Sequence, residues 1–160
     1  MHIVYFDVVR KAPQIEAAAH ASYAATLDEL LAQSDCVVLA TPARPDGSKV
    51  IDARALRQFK QGARFVNVAR GSLVDEEALA DVLDAGVLSS VMLDVHEDEP
   101  RVCERLKGRS AVMLTCHNAG GTVDTHIGFE RLSMENIEAV LRGEIPGSAV
   151  NAHLLKTRGR

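Results

Sequence analysis

Short apolar runs alternate with amphipathic stretches along this chain of 160 residues, and this alternation limits the fold more than any other feature. The apolar runs have the length of strands, whereas the stretches between them carry apolar residues at helical spacing. The predicted strands are HIVYFDV, CVVLATP, RFVNVA, SVMLDV and SAVMLTCH. Apolar strands that are separated by helices form a parallel sheet covered on both faces. The sequence therefore predicts an α/β fold, with helices flanking a parallel sheet.

Four helices are predicted from the remaining stretches, at residues 22–34, 52–59, 75–86 and 124–144. Thr26 is a candidate cap in the first of them, and acids occupy the first turn of the third. Gly86 and Gly143 lie close to the ends of two helices, where a glycine commonly terminates a helix. These local signals support the alternating pattern of strands and helices.

Composition and charge exclude several classes of function. The net charge of −4 provides no basic surface for nucleic acid, so no nucleic-acid partner is expected. The apolar runs are too short to span a bilayer, and Met1 is followed directly by HIVYF rather than by a basic leader. We therefore expect a cytoplasmic protein with no membrane partner. Three cysteines without CxxC spacing are expected to be buried, reduced thiols: Cys36, Cys103 and Cys116.

A polar residue follows each predicted strand, at the edge of the sheet where such folds bind ligands. In chain order these residues are Asp7, Thr41, Arg70, Asp94 and His117. The carboxylate of Asp7 could accept hydrogen bonds from both ribose hydroxyls of an adenosine, or it could be a helix cap or a solvated acid. Arg70 offers a planar fork that suits a carboxylate, or it could lie on the surface over the next helix.

His117 is followed by small residues in CHNAGGT, which would let a ligand approach the backbone, although a histidine after a strand is often structural. A carboxylate beside this ring would favour its protonated form and hold one tautomer, as a general acid requires. The segment LDVHEDEP supplies candidate acids in Asp94, Glu97, Asp98 and Glu99. Such a cluster is usually a solvated loop, and its spacing is poor for a metal, so no metal site is predicted.

Several longer motifs resemble the D-isomer-specific 2-hydroxyacid dehydrogenases. The most specific are FVNVARGSLVDEEAL, MLDVHEDEP and LTCHNAGGT, in the family's order, and TLDELLAQSDCVVLATP and MENIEAVLRGEIPGSAVN also resemble family segments. The resemblance covers essentially the whole chain. It implies a partial Rossmann-type NAD-binding domain at residues 1–125. It also implies, at residues 126–160, a C-terminal helix and tail that in the family pack back toward a catalytic domain.

The resemblance further implies hydride transfer between NAD and a D-2-hydroxyacid or its 2-oxoacid, such as glyoxylate, hydroxypyruvate or a branched 2-oxoacid. Arg70 matches the residue that grips the substrate carboxylate, and His117 matches the acid–base. Glu99 matches the family's catalytic glutamate, with Glu97 as the weaker choice. The cofactor-binding positions of the family are matched by Asp7, Thr41, Val68, Ala69, Arg70, Asp94, His117, Asn118, Ala119 and Gly120. Asp7 favours NAD over NADP by repelling a 2′-phosphate.

The chain also departs from the family's pattern. Cys116 and Asn118 stand where the family usually has a proline and an apolar residue, and no GxGxxG turn occurs, since the first glycine is Gly47. We therefore expect the first βα unit and the second domain to be missing, with weak NAD binding and negligible turnover by this chain alone. The alternatives are an NAD-responsive binding module resembling dehydrogenase-like transcriptional corepressors, or an inactive gene fragment. A homodimer is implied by the resemblance.

Overall fold

The computed structural model describes residues 1–155 and contains two compact units, Met1–Asn118 and a second unit that begins at Ala119. The elements in chain order are β1 (Ile3–Tyr5), α1 (Pro13–Ala19), β2 (Ala21–Tyr23), α2 (Leu27–Gln33), β3 (Cys36–Leu39), α3 (Ala53–Leu56), β4 (Ala63–Asn67), α4 (Glu76–Asp84), β5 (Leu88–Leu93), β6 (Val112–Leu114), α5 (Val123–Leu141) and α6 (Ala152–Leu155). Short 3-10 turns at Gly71–Leu73 and Glu104–Leu106 precede α4 and β6. The predicted α/β class is confirmed.

The strands pair in parallel and form two sheets. β1 pairs with β2, and the second sheet has the strand order β3–β4–β5–β6. Leu39, Asn67, Leu93 and Leu114 are neighbours in one row across this second sheet, and each is the last residue of its strand. The chain therefore leaves all four strands side by side at one edge. The polar residues that the sequence analysis singled out after these strands follow in those four segments.

The core lies on one face of the four-stranded sheet, where side chains from α2, α3 and α4 form a single apolar cluster with the strands. Phe65 of β4 and Leu79 of α4 are fully buried in this cluster. The alternate residues of the strands point to the other face, where Val38 is 56% exposed and Met113 is 62% exposed. Within Met1–Asn118, the expectation of a sheet covered on both faces is therefore wrong, because the three helices contribute to the same face.

The N-terminal part of the first predicted helix is a strand. Ser22 and Tyr23, which were expected to be helical, lie in β2. The Tyr23 ring packs on Tyr5 of β1 with ring centroids 5.3 Å apart, a cross-strand contact that stabilises the extended conformation. The side chain of Thr26 accepts a hydrogen bond from the first turn of α2, so the helix begins only at Leu27.

Two further boundaries differ from the sequence interpretation. Helix α1 was not foreseen, although Pro13 in its first turn and His20 in the left-handed conformation at its end are ordinary boundary signals. β6 ends at Leu114 instead of reaching His117. His117 itself has a φ of 54°, which takes it out of the extended conformation that a strand needs.

The cysteines are free thiols, but two of them are not buried as expected. Cys36 is exposed because it lies on the uncovered face of β3, and Cys116 is exposed in the turn after β6. Cys103 is half-buried and donates a hydrogen bond to Glu77 Oε1 at 3.3 Å. Burial raises the pKa of the Cys103 thiol, which favours the protonated form.

The second unit is dominated by helix α5. The side chain of Thr122 accepts a hydrogen bond from the Thr125 amide and begins the helix, and Gly143, with a φ of 75°, follows its end. Across residues 1–155, we find no helix that is both long and apolar enough to cross a membrane. The division of the chain into residues 1–125 and 126–160 stays a prediction.

Candidate active site

The turn after β4 is closed by a buried amide side chain. Asn67 is 1% exposed, and its Oδ1 accepts a hydrogen bond from the Ala69 amide at 3.0 Å. Its Nδ2 donates to the Arg70 carbonyl at 3.1 Å. Within this turn, the side chain of Val68 is exposed and that of Ala69 is buried. The sequence analysis did not single out Asn67, although an amide within the apolar run FVNVA was a usable signal.

Arg70 lies at the end of this turn with an exposed side chain. Its NH1 donates a hydrogen bond to the Ala69 carbonyl at 2.6 Å, which folds the side chain back toward its own turn. Within residues 1–155, no aspartate or glutamate forms an ion pair with this guanidinium. A planar fork that is not neutralised by the protein can bind the carboxylate of a ligand.

Gly71 brings the Arg70 turn against a second loop, the one that follows β5. A Cβ atom on Gly71 would lie 1.9 Å from the carbonyl carbon and oxygen of His96 and 2.4 Å from the Glu97 amide nitrogen. Two backbone segments can approach this closely only where one of them has no side chain. Glycine at this position therefore holds the Arg70 turn beside the loop that carries Glu99.

Glu99 and His117 meet through their side chains. Glu99 Oε2 lies 3.0 Å from His117 Nδ1, and Glu99 Oε1 accepts a hydrogen bond from the His96 amide at 3.0 Å. These two contacts, the His117 hydrogen bond first, lower the pKa of Glu99 below its ordinary value. An ionised carboxylate can only accept, so His117 carries a proton on Nδ1, and its Nε2 is the nitrogen left to exchange a proton with a ligand.

The other candidate acid on this loop points elsewhere. Glu97 forms an ion pair with Lys49, which also donates a hydrogen bond to the Val74 carbonyl at 2.9 Å. The structure thus brings Glu99, and not Glu97, to the histidine. Arg70 makes no hydrogen bond or ion pair with either Glu99 or His117 in the part of the chain that the structure describes.

Asp94 organises the turn that carries His117. It is 2% exposed, and its Oδ1 accepts hydrogen bonds from Thr115 Oγ1 at 2.6 Å and from the Asn118 amide at 3.0 Å. Its carbonyl accepts from the His117 amide at 2.7 Å. These three contacts surround the one residue of the turn with a left-handed φ, so Asp94 stabilises a backbone conformation that histidine seldom adopts.

The remaining predicted cofactor positions are spread over other segments. Asp7 follows β1, and its carboxylate pairs with Lys11 Nζ at 2.9 Å; that contact, more than the nearby backbone amides, lowers the pKa of Asp7. Thr41 is half-buried, two residues after β3. Ala119 and Gly120 are exposed at the start of the second unit. Asp7 and Thr41 make no side-chain contact with Arg70, Glu99 or His117 among the described residues.

Two residues next to this site are buried: His96, which the sequence offered only as one of the polar residues of LDVHEDEP, and Glu76, for which no role was predicted. Glu76 is 4% exposed and His96 is 7% exposed. In the sequence they look like ordinary members of the acid-rich stretches DEEAL and HEDEP. Among the described residues, no group of three or more histidine, cysteine, aspartate or glutamate side chains could hold a metal ion.

Comparison with known proteins identifies the source of this arrangement. The family model for the D-isomer specific 2-hydroxyacid dehydrogenase, NAD binding domain, matches residues 1–119. The chain belongs to this family. The match confirms the resemblance that the motifs around Arg70, Asp94 and His117 suggested.

Relatives and solved structures support this assignment to the 2-hydroxyacid dehydrogenases. A glyoxylate reductase of Thermococcus kodakarensis is 36% identical over 158 residues, which are 99% of this chain and 47% of that protein. The holo form of Rhodotorula graminis D-mandelate dehydrogenase has a TM-score of 0.81 and 39% identity, over 87% of this chain and 40% of that one. A glyoxylate reductase from Paecilomyes thermophila has a TM-score of 0.81 and 36% identity, over 91% and 44%. The chain spans about half the length of the glyoxylate reductases it matches.

Two regions of this 2-hydroxyacid dehydrogenase domain are compatible with the two ends of a dinucleotide. At one end, the ionised, partly exposed carboxylate of Asp7 can accept hydrogen bonds from ribose hydroxyls. At the other, small residues follow His117 in the sequence NAGG. No GxGxxG sequence for a pyrophosphate occurs in the 160 residues.

Proposed function

We propose that this chain carries the cofactor-binding half and the catalytic side chains of an NAD-dependent oxidoreductase that interconverts D-2-hydroxyacids and 2-oxoacids. The observation that carries the proposal is the 3.0 Å hydrogen bond between Glu99 Oε2 and His117 Nδ1. Arg70 supports it, because the guanidinium lies on the adjoining turn and pairs with no acid of residues 1–155. The three side chains are of the types that reduction of a 2-oxoacid requires: a cation for the carboxylate, a proton donor and an acid that orients it.

Each side chain has a distinct part in the proposed reaction. A bound nicotinamide cofactor supplies the hydride that reduces the carbonyl carbon. Arg70 binds the substrate carboxylate through its fork and stabilises the charge that develops on the carbonyl oxygen. His117 donates its Nε2 proton to that oxygen, and takes a proton from the hydroxyl in the reverse direction. Glu99 holds Nδ1–H and stabilises the imidazolium, so that the ring presents Nε2 to the substrate.

The substrate class that we propose is a small 2-oxoacid, with glyoxylate first and hydroxypyruvate second. Glyoxylate reductases are prominent among the relatives, both by sequence and by structure. We propose NAD as the cofactor because the ionised Asp7 carboxylate repels a 2′-phosphate. We also propose a cytoplasmic homodimer, as the family resemblance implies, which sedimentation of the purified chain would test.

The test measures binding of a substrate anion to the 160-residue chain. Glyoxylate, or oxalate as an unreactive mimic, is titrated while the imidazole resonances of His117 are followed by NMR. We expect saturable shifts that are lost in Arg70→Ala and weakened in Arg70→Lys, because a lysine cannot hold a carboxylate with two parallel hydrogen bonds. Arg101→Ala is the matched control, since Arg101 is a highly exposed arginine that pairs with Asp98, three residues earlier in the chain.

Equal shifts in the Arg70→Ala variant and the unmodified chain would contradict the proposed role of Arg70. A parallel assay follows NADH absorbance in the presence of glyoxylate. We expect negligible turnover from these 160 residues by themselves, because they span about half the length of the glyoxylate reductases that they match. Saturable turnover that is lost in His117→Gln would support the function and contradict the expected impairment.

A further inference from the structure

We propose that Glu76 and His96 are positioning residues, a buried polar pair that holds the two loops between which Glu99 and His117 form their hydrogen bond. The inference rests on the proposed function for the catalytic roles of Glu99 and His117. The contacts of Glu76 and His96 do not depend on that function. Neither residue reaches the site, because both are almost completely buried beneath it. Their hydrogen bonds extend to the loop that carries Glu99 and to the turn that carries His117.

Glu76 holds the loop that carries Glu99. It is the first residue of α4, where the positive end of the helix dipole stabilises a carboxylate. Its Oε1 accepts a hydrogen bond from the Glu97 amide at 2.9 Å. The adjacent amide, that of His96, donates to Glu99 Oε1 at 3.0 Å. Two consecutive amides are thus bound by two carboxylates, one buried and one at the site, so the position of Glu76 determines where Glu99 can lie.

His96 holds the loop that carries His117. Its Nε2 lies 2.9 Å from the Thr115 carbonyl oxygen, and a carbonyl can only accept, so Nε2 carries the hydrogen. Thr115 is two residues before His117, in the turn that Asp94 closes. The His96 ring therefore ties the loop after β5 to the turn after β6. Removing this donor would leave a carbonyl next to the catalytic turn without the hydrogen bond that fixes it.

The second nitrogen of His96 links the two members of the pair. Nδ1 is buried and has no hydrogen-bond partner among residues 1–155, and it lies 3.9 Å from Glu76 Oε1. Two neighbouring carboxylates have other partners, since Glu97 pairs with Lys49 and Glu99 pairs with His117. Glu76 is therefore the anion that faces the His96 ring.

The test uses the tautomer of His117 as its readout, measured by ¹⁵N NMR of the imidazole rings in the full 160-residue chain. With the pair intact, the neutral His117 ring carries its proton on Nδ1, toward Glu99. We expect His96→Phe, which keeps an aromatic ring but loses the donor to Thr115, to abolish this preference. Glu76→Met, which loses the acceptor for the Glu97 amide, should do the same and raise the pKa of Glu99 toward its ordinary value.

Two conservative variants separate positioning from simple packing. Glu76→Gln keeps an acceptor for the Glu97 amide and should retain the Nδ1–H tautomer of His117. Glu77→Gln is the matched control, because Glu77 is the next residue of α4, is largely exposed, and pairs with Arg105 away from the site. It should leave the tautomer unchanged. If folded His96→Phe and Glu76→Met variants both keep the Nδ1–H tautomer of His117, the proposal is overturned.

A measurement on the unmodified chain covers the case in which those variants do not fold. The pair requires that the His96 Nε2–H and the Glu97 amide exchange slowly with solvent, as buried hydrogen-bonded groups do. Exchange of both hydrogens at the rate of free groups would also overturn the proposal. These readouts need neither substrate nor turnover. A chain that shows the tautomer effects but binds no 2-oxoacid would refute the proposed function and leave the positioning pair standing.

Discussion

The loops around Arg70, Glu99 and His117 and the turn around Asp7 both follow parallel strands, but they are held in different ways. All four polar side chains that are buried in the described residues, Asn67, Glu76, Asp94 and His96, lie beneath the first region. Each makes a hydrogen bond to the backbone of a turn at this site. The turns that carry the three proposed catalytic side chains are thus held by hydrogen bonds from buried polar residues.

The turn around Asp7 is held by the Tyr23 hydroxyl, which donates to the Asp7 carbonyl at 3.2 Å, and by ion pairs whose basic members are exposed. Lys11 pairs with Asp7, and Arg10 pairs with Glu16 at 2.8 Å while its guanidinium lies 5.3 Å from the centre of the Tyr23 ring. Exposed ion pairs are individually weak and are screened by salt, whereas a buried hydrogen bond is costly to leave unmade. The proposed catalytic loops are therefore held by interactions that solvent hardly reaches, while the predicted ribose end is held by ion pairs that salt can weaken.

The largest expected effect comes from Gly71→Ala. The new methyl group would overlap the His96 carbonyl, which is backbone and cannot rotate away. We expect a loss of about 3 kcal/mol in the free energy of unfolding, at the upper end for overpacking, measured by urea denaturation. Gly128→Ala is the control: it lies within α5 with no atom close to the added Cβ, and should be neutral or stabilising by about 0.5 kcal/mol. Equal stability of both variants would show that the close approach of Gly71 to the His96 carbonyl does not hold the Arg70 turn in place.

A smaller effect is expected from Asn67→Leu. The substitution leaves the Ala69 amide and the Arg70 carbonyl without their partner in a buried turn. We expect a loss of about 2 kcal/mol in the free energy of unfolding, together with weaker oxalate binding because Arg70 is no longer held in place. Gln58→Ala, at an exposed position of the same unit, should change stability by less than about 0.5 kcal/mol. If Asn67→Leu proves as mild as Gln58→Ala, the hydrogen bonds of the buried Asn67 are not what holds the turn.

The smallest expected effect, and the only one with a pH signature, comes from Glu16→Gln. Hydrogen bonds from Arg10, and then from Tyr5, lower the pKa of Glu16 from 4.5 to about 2. Because the pKa is lower in the folded chain, the carboxylate stabilises the fold above pH 4.5 and loses this contribution as the pH falls to about 2. The variant should therefore be less stable than the unmodified chain near neutral pH, and the difference should close toward pH 2.

Urea denaturation across this pH range measures that difference in stability. High salt should shrink it, because the Arg10 member of the ion pair is exposed to solvent ions. A difference that stays constant with pH, or that is insensitive to salt, would show that the Asp7 turn is held by something other than its ion pairs.

Much of the first unit could be predicted because its signals are local. The strands at CVVL and RFVN and the helix after Asp75 follow from short apolar runs and caps that neighbouring residues decide among themselves. The helix over SYA was wrong because extended pairing of Tyr23 beside Tyr5 outweighs local helical propensity. Burial on both faces was wrong because strand composition alone does not state which helices lie on which side.

The family, the parallel α/β class and the order in which Arg70, Asp94 and His117 follow three strands could be read from the sequence, since motif and periodicity are written in adjacent residues. Only the tertiary structure decided that Glu99 contacts His117 while Glu97 turns to Lys49. It also decided that Glu76 and His96, 20 positions apart in the printed sequence, are buried together. The physical reason is that burial and hydrogen bonding of a polar side chain depend on which distant segment packs against it.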